Sequence, residues 1–421
     1  MRKLILFLLV LFPLISVAQW TTAAGINTGR NDDIFFVSDS IGYVAGGNTK
    51  QIRKTVDGGD NWSTIFVNGT YLRSIEFIDA STGFCGSLDS ALFMTTDSGS
   101  TWTDISPSIQ PRPKGVCGLS IPDDSTIYGC GIYNQPAFII KSTDRGLTWT
   151  YIDMSMHAKA LVEVHFVSRD TGFASGRADP LSDGGVILRT TDGGLTWQAV
   201  FRTMRNLDYV WKIQSPDGNH YFGSVSSVPN SPNTSFLASS NKGITWTQGI
   251  VDTSWHDIQM IGFIDSLKGW TGGATALFET IDGGQTWSRT TSTILGGNYY
   301  NRFIKKNDSS AFISGGKIYK YTAHALSTGF MEVAEQQVEI HSIQITPNPT
   351  ASLRFTIELG NKTHADIQLI NLNGSVVETF HNGALVAGEY TFYSRKKYKP
   401  QGMFLIMRTN EGLYSEKVIF E

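Results

Sequence analysis

Apolar residues along this chain come in short runs, not in helical stripes. Ile34-Phe35-Phe36-Val37, Ser74-Ile75-Glu76-Phe77-Ile78 and Val164-His165-Phe166-Val167 are separated by clusters of Gly, Asp and Ser. That pattern predicts β-strands broken by turns. Two half-patterns recur. The first is an apolar strand, a turn rich in Asp and Ser, and a glycine-spaced strand. It is clearest in 164–176 and returns in 34–46, 75–86 and 261–272, with weaker copies beginning near Val116, Lys212 and Arg302. The second is an apolar strand leading into an eight-residue box. The boxes read T-V-D-G-G-D-N-W (55–62), T-T-D-S-G-S-T-W (95–102), S-T-D-R-G-L-T-W (142–149), T-T-D-G-G-L-T-W (190–197), S-S-N-K-G-I-T-W (239–246) and T-I-D-G-G-Q-T-W (280–287).

Each unit therefore reads as four antiparallel strands, A to D, with the box between C and D. The box tryptophans stand 40 to 49 residues apart, a period that marks repeat architectures. A four-stranded sheet repeated around an axis is a propeller blade. There are seven first halves but six boxes, and the seventh half ends at 315–322 without one. Gln19-Trp20-Thr21-Thr22 resembles an isolated box exit. Trp20 is thus expected to open the missing strand of the last blade, closing a seven-bladed ring over residues 19–322.

The box residues have structural work to do. Asp57, Asp97, Asp144, Asp192, Asn241 and Asp282 suit acceptance of backbone N–H groups inside a hairpin. Their glycines suit positive φ. Trp62, Trp102, Trp149, Trp197, Trp246 and Trp287 are large wedges between sheets. Six equivalent outward hairpins cannot all be one active site. These boxes resemble the Asp-box (BNR) repeat of sialidases, sortilin-type receptors and xyloglucan-active hydrolases. The fuller pattern, F-x-D-x-x-x-G-F-x-x-G before T-x-D-G-G-x-T-W, is most similar to the photosystem II assembly factor and YCF48-like propellers, over roughly residues 20–322. The resemblance implies the fold; its members include both enzymes and pure binding proteins.

The ends carry different signals. Arg2 and Lys3, an apolar stretch from Leu4 to Ile15, and Ser16-Val17-Ala18 predict a signal peptide over 1–18. No later run is long enough to span a membrane. Residues 323–343 read as a polar linker. Residues 344–421 alternate polar and apolar positions in six short segments, predicting a small β-sandwich. The order P-N-P (347–349), I-N-L-N-G-S-V-V (370–377), G-E-Y (388–390), Q-G-M-F-L-I (401–406) and a final K-V-I (417–419) is similar to the type IX secretion (Por) C-terminal sorting domain. That resemblance implies a Bacteroidetes-type bacterium, the type IX machinery as a partner of 344–421, passage through the periplasm to the cell surface or medium, and removal of the domain on export. Met403-Phe404 stands where a bulky apolar residue followed by Tyr is usual.

Charge and chemistry narrow the function. The formal charge of −3 argues against general nucleic-acid or anionic-membrane binding. The sequence has no H-E-x-x-H, C-x-x-C, G-x-S-x-G or phosphate-loop string. Its eight histidines show no ligand spacing, so neither metal nor cofactor is expected. Glycoside hydrolysis needs two carboxylates across a cleft; Asp179 and Asp183 in A-D-P-L-S-D-G are the candidates for that rival reading. Against it, the Arg-Ile-Pro start of sialidases is absent, and xyloglucan hydrolases of this repeat type resemble two clasping propellers. The leading expectation is a non-catalytic binder of a protein or glycan. Its ligand is placed on the face that carries the D–A and B–C loops, opposite the boxes. There Arg30, Arg73, Arg205 and Arg302 precede strand A in four blades and are expected to form a basic ring. Tyr209, Trp211, Trp255, His256, Tyr299 and Tyr300 would add stacking surfaces. Of the three cysteines, Cys117 and Cys130 fall opposite each other if Ile121 pairs with Thr126. The pair then reads either as a disulfide or as two buried thiols.

Overall fold

A computed structural model describes residues 19–25, 29–131, 136–178, 184–229, 231–292, 294–296, 298–322, 342–345, 348, 350, 352–359, 362–371, 375–394, 396–409 and 413–421. The expected signal peptide and most of the expected linker lie outside these residues, as do Asp179 and Asp183.

The chain divides into two units, Met1–Ser327 and Thr328–Glu421. In the first, the repeats fold as their pattern demands. Six sheets each join four consecutive strands in chain order. Their first strands are Asn31–Phe36, Leu72–Phe77, Gly118–Ser120, Ala160–Phe166, Tyr209–Gln214 and Met260–Phe263; we number these blades 1 to 6. Blade 7 consists of Arg302–Asn307, Ser310–Ser314 and Ile318–Thr322, with Gln19–Thr22 as its fourth strand. Trp20 pairs with Tyr321 and Thr22 with Tyr319. The first strand of each blade lies against that of the next, and that of blade 7 against that of blade 1. The ring is closed.

Closure also shows in the packing. Seven hydrophobic clusters in this unit each draw on two adjacent blades. An open arc of seven sheets would have only six such junctions. At the closing seam, Trp20 is buried edge-on against Trp270 with centroids 5.1 Å apart. Phe312 of blade 7 packs with Ile34, Val44 and Trp62 of blade 1.

In blades 1, 2, 4 and 5 the first strand carries a register shift near its start, between Asn31 and Asp33, Leu72 and Ser74, Leu161 and Glu163, and Val210 and Ile213. A bulge leaves two residues opposite one and re-aims side chains. Blade 3 carries no such shift, and its offset from expectation is already present beside the turn, where Ser120 pairs with Tyr128. Gly118, not Cys117, pairs with Cys130, while the Cys117 N–H donates to the Cys130 carbonyl at 2.7 Å. The expected register is off by one residue. No disulfide joins the pair, and Cys85, Cys117 and Cys130 are all buried thiols.

The second unit holds a three-stranded sheet (Ser342–Ile345, Arg354–Leu359, Gly388–Tyr393) and a four-stranded sheet (Val376–Leu385, Thr363–Ile370, Gln401–Arg408, Leu413–Phe420). Alternate residues of both, among them Ile357, Leu359, Ile367, Leu369, Leu405 and Met407, fill one core. Its first strand begins at Ser342, inside the segment read as linker.

Candidate functional site

The boxes are closed hydrogen-bonding units. Oδ1 of Asp57, Asp97, Asp144, Asp192, Asn241 and Asp282 accepts the backbone N–H of the residue four positions on, at 2.8 to 3.0 Å. The Thr or Ser two residues earlier donates its hydroxyl to the same oxygen. The hydroxyls of Thr148, Thr196 and Thr286 donate to the other oxygen, and with these bonds hold the Asp144, Asp192 and Asp282 carboxyls down at about 2. The indole N–H groups of Trp62, Trp102, Trp149, Trp197 and Trp246 donate to the box glycine carbonyl.

The axial channel is where unlike residues meet. Ile34, Ile75, Leu119, Val164, Ile213, Ile261 and Phe303 occupy equivalent positions in the seven first strands, and each fills a different junction core. Strand alternation turns their neighbours away from these cores and mostly toward the axis, Met260 instead filling the core between blades 6 and 7. The preceding residues are Asp33, Ser74, Gly118, Glu163, Lys212, Met260 and Arg302. The following ones are Phe35, Glu76, Ser120, His165, Gln214, Gly262 and Ile304.

The first of these layers is a buried charge network. Glu163 of blade 4 accepts from Lys212 of blade 5 at 2.5 Å and, across the channel, from Arg302 of blade 7. The Arg302 Nε lies 3.4 Å from Asp33 of blade 1. Burial opposes the Glu163 charge, but Arg302 and Lys212 outweigh it and hold the carboxyl below its ordinary range.

Toward the D–A loops the bulge brings a further layer to the axis. Asp32 Oδ1 receives both Arg30 Nε and Arg73 Nη1 at 2.9 Å. Arg30 Nη2 reaches Gln259 of blade 6 at 2.6 Å. The Arg73 guanidinium lies 5.5 Å from the ring centre of Trp211, on which Tyr209 stacks. The structure thus brings Arg30, Arg73, Tyr209 and Trp211 together, as expected from sequence, but as internal cross-links. The basic ring is corrected on this point. Arg73 is 3% exposed, Arg302 belongs to the deeper network, and Arg205 is tied to Asp208 at 3.3 Å and to Asn233 and Ser235 within blade 5. A buried guanidinium requires a partner, and each found one nearby. Tyr300 is likewise buried, its hydroxyl donating to the Leu295 carbonyl. Trp255 donates to Ser227 at 2.9 Å and is half-buried. His256 lies 3.6 Å from Asp252, and Tyr299 is exposed.

The opposite mouth, among the A–B turns on the box side, is concave. Two adjoining cavities of about 310 and 550 Å³ share His165, Arg302, Ile304 and Lys305. The smaller adds Lys212, Gln214, Pro216 and Phe303. The larger adds Phe35, Phe36, Glu76, Ser120, Phe166 and Lys306. Burial, with Asp33 and Glu163 nearby, pushes the Glu76 carboxyl up to about 8, Arg302 offsetting only part of it. The Ile121 backbone N–H donates to it. Burial lowers His165 to about 4, so the imidazole is neutral at neutral pH. Sequence reading missed this vestibule. Its signal lay in aligning the repeats: the position after the core residue holds Glu76, Ser120, His165 and Gln214 where a strand facing only hydrophobic core would not.

The arrangement can bind and can exchange a proton at Glu76; Glu163 and Asp33 are already engaged in ion pairs. Against known proteins, the family model described as photosynthesis system II assembly factor YCF48 matches residues 67–260. The photosystem II assembly lipoprotein Ycf48 of Synechococcus sp. (strain CC9902) is 24% identical over 58% of this chain and 69% of its own length. A solved structure of YCF48 bound to D1 peptide superposes with a TM-score of 0.55 at 17% identity, over 72% of this chain and 96% of that one. PorZ, a surface component of the type IX secretion system of Porphyromonas gingivalis, gives 0.54 at 11%, over 94% of this chain and 60% of that one. A GH74 xyloglucanase from Xanthomonas campestris gives 0.54 at 11%, over 81% and 59%. These superpositions establish the propeller fold.

Proposed function

We propose that this chain is a non-catalytic binding protein, exported by the type IX route through residues 344–421, whose propeller recognises a segment of a protein partner at the box-side vestibule. One observation carries the reading: the D–A end of the channel is cross-linked by its own side chains, whereas the box end is an open concavity with apolar walls and convergent polar groups, the usual form of a ligand site. The match of residues 67–260 to the family model of YCF48, a propeller solved with a bound peptide, supports a protein ligand over a glycan. A lipoprotein relative and a surface-component neighbour are consistent with action outside the cytoplasm. The hydrolase alternative rests on Asp179 and Asp183, which lie outside the described residues, and superposition on a xyloglucanase is likeness of fold alone.

The test is a screen of the full chain against peptide and glycan libraries, alongside an Ile304→Trp variant that fills the vestibule. The reading predicts peptide binding that the variant loses, and no glycan turnover. Glycan cleavage abolished by substituting Asp179 and Asp183 would reverse it.

A further inference from the structure

Granted that the vestibule is the binding site, on which this inference rests, its chemistry favours one class of ligand. Four cations line its two cavities, Lys212, Arg302, Lys305 and Lys306; Glu163 and Asp33 engage the first two, which leaves Lys305 and Lys306 to meet a ligand. The carboxylates facing Lys306 and Lys305 from outside, Asp39 and Asp308, have side chains 93% and 97% exposed. Water screens such pairs, so they neutralise the lysines weakly. The lysine ammonium groups also donate to the carbonyls of Pro216 and Asp39, which fixes them at the mouth without cancelling their charge. The walls are Phe35, Phe36, Phe166, Ile304 and Phe303. We propose that this vestibule is a proton-linked site for a carboxylate carried on an apolar body, with Lys305 and Lys306 receiving the charge, the aromatic wall receiving the body and Glu76 setting the pH dependence.

Glu76 acts through its surroundings. It is faced by Arg302 from blade 7, Asp33 from blade 1, Glu163 and His165 from blade 4, and the Ile121 N–H from blade 3, with Arg73 on its own strand and Lys212 on blade 5. In the network Arg302 and Lys212 are matched by Asp33 and Glu163, so an ionised Glu76 is one negative charge in excess. As a neutral acid, as burial favours up to about pH 8, it donates a hydrogen bond to an incoming carboxylate. Once ionised, it repels it. Affinity is therefore full below pH 8 and is lost as pH rises through it. A free organic acid and an apolar peptide C-terminus present the same chemistry.

Isothermal titration of the full chain tests this with 3-phenylpropionate and its amide, and with Ac-Ala-Leu-Phe as free acid and as C-terminal amide. At pH 7 at least one acid is expected to bind at least tenfold more tightly than its amide, and which acid does so identifies the source. Above pH 8 the affinity should fall by up to tenfold per pH unit. Glu76→Gln should lose the fall in affinity above pH 8, and Lys305→Met should weaken the acid about tenfold. Equal binding of acid and amide, or affinity that rises through pH 8, overturns the proposal. Binding of amidated peptides alone overturns it while leaving the proposed function standing. Binding of none of the four compounds, with no peptide retained from the library, removes both.

Discussion

Glu163 illustrates how far a single residue is determined by its partners. It is 2% exposed and accepts from Lys212 and Arg302, which reach it from different blades. Removing one member of a buried ion network leaves the others uncompensated, at a cost of about 3–5 kcal/mol. Glu163→Gln is accordingly expected to lower unfolding free energy by about 3 kcal/mol in denaturant titration, without altering the strand content seen by circular dichroism. Glu76 runs the other way. Its folded-state pKa lies above the ordinary carboxyl range, so the native state holds a proton that the unfolded chain has released, and stability falls as pH rises from about 4.5 to 8. Glu76→Gln should therefore raise the melting temperature at pH 9 by about 2 °C and leave it unchanged at pH 4. Sequence singled out Arg30, Arg73, Arg205 and Arg302 but not their partners: Asp32 and Glu163 come within reach of Arg73 and Arg302 only when separate blades converge, while Arg205 turns to Asp208 three residues on in its own blade.

Among elements, the box was fully legible and the bulge was not, for one physical reason. Every bond in the box links residues two to four positions apart, so its residue types specify its geometry locally. Asn241 makes the same backbone bond as the aspartates. Asp192→Asn should therefore leave hydrogen exchange in the 190–198 hairpin unchanged, whereas Asp192→Ala should speed it measurably while leaving the channel untouched. The bulge depends on which partner strand residue fits opposite, a non-local choice. In blade 1 it carried Asp32 to the axis and added a third polar layer to the channel, while in blade 3 the turn after the first strand set the one-residue offset that moved Cys117 out of register with Cys130. The same non-locality hid the vestibule. Its lining is drawn from all seven blades, most heavily from blades 1, 5 and 7, and converges only when the ring closes.

On the scale of the whole molecule, the ring depends on pairing the first strand, Gln19–Thr22, with Ile318–Thr322, which lies nearly the full length of the propeller away. The mismatch between seven first halves and six boxes made that closure readable in the sequence. Trp20→Ala removes the aromatic wedge against Trp270 and Tyr321 and should cost about 3–5 kcal/mol, with hydrogen exchange rising first in 310–322. Closure in turn gives the channel two unlike ends, one cross-linked by Arg73, Asp32 and Trp211 and one open over Glu76 and Ile304. The most direct measurement sets these ends against each other: the dissociation constant of a bound peptide for the full chain, for Ile304→Trp and for Tyr209→Ala. The account predicts at least tenfold loss in Ile304→Trp and a change under twofold in Tyr209→Ala. Retained affinity in Ile304→Trp with loss in Tyr209→Ala would place recognition at the other mouth and contradict it.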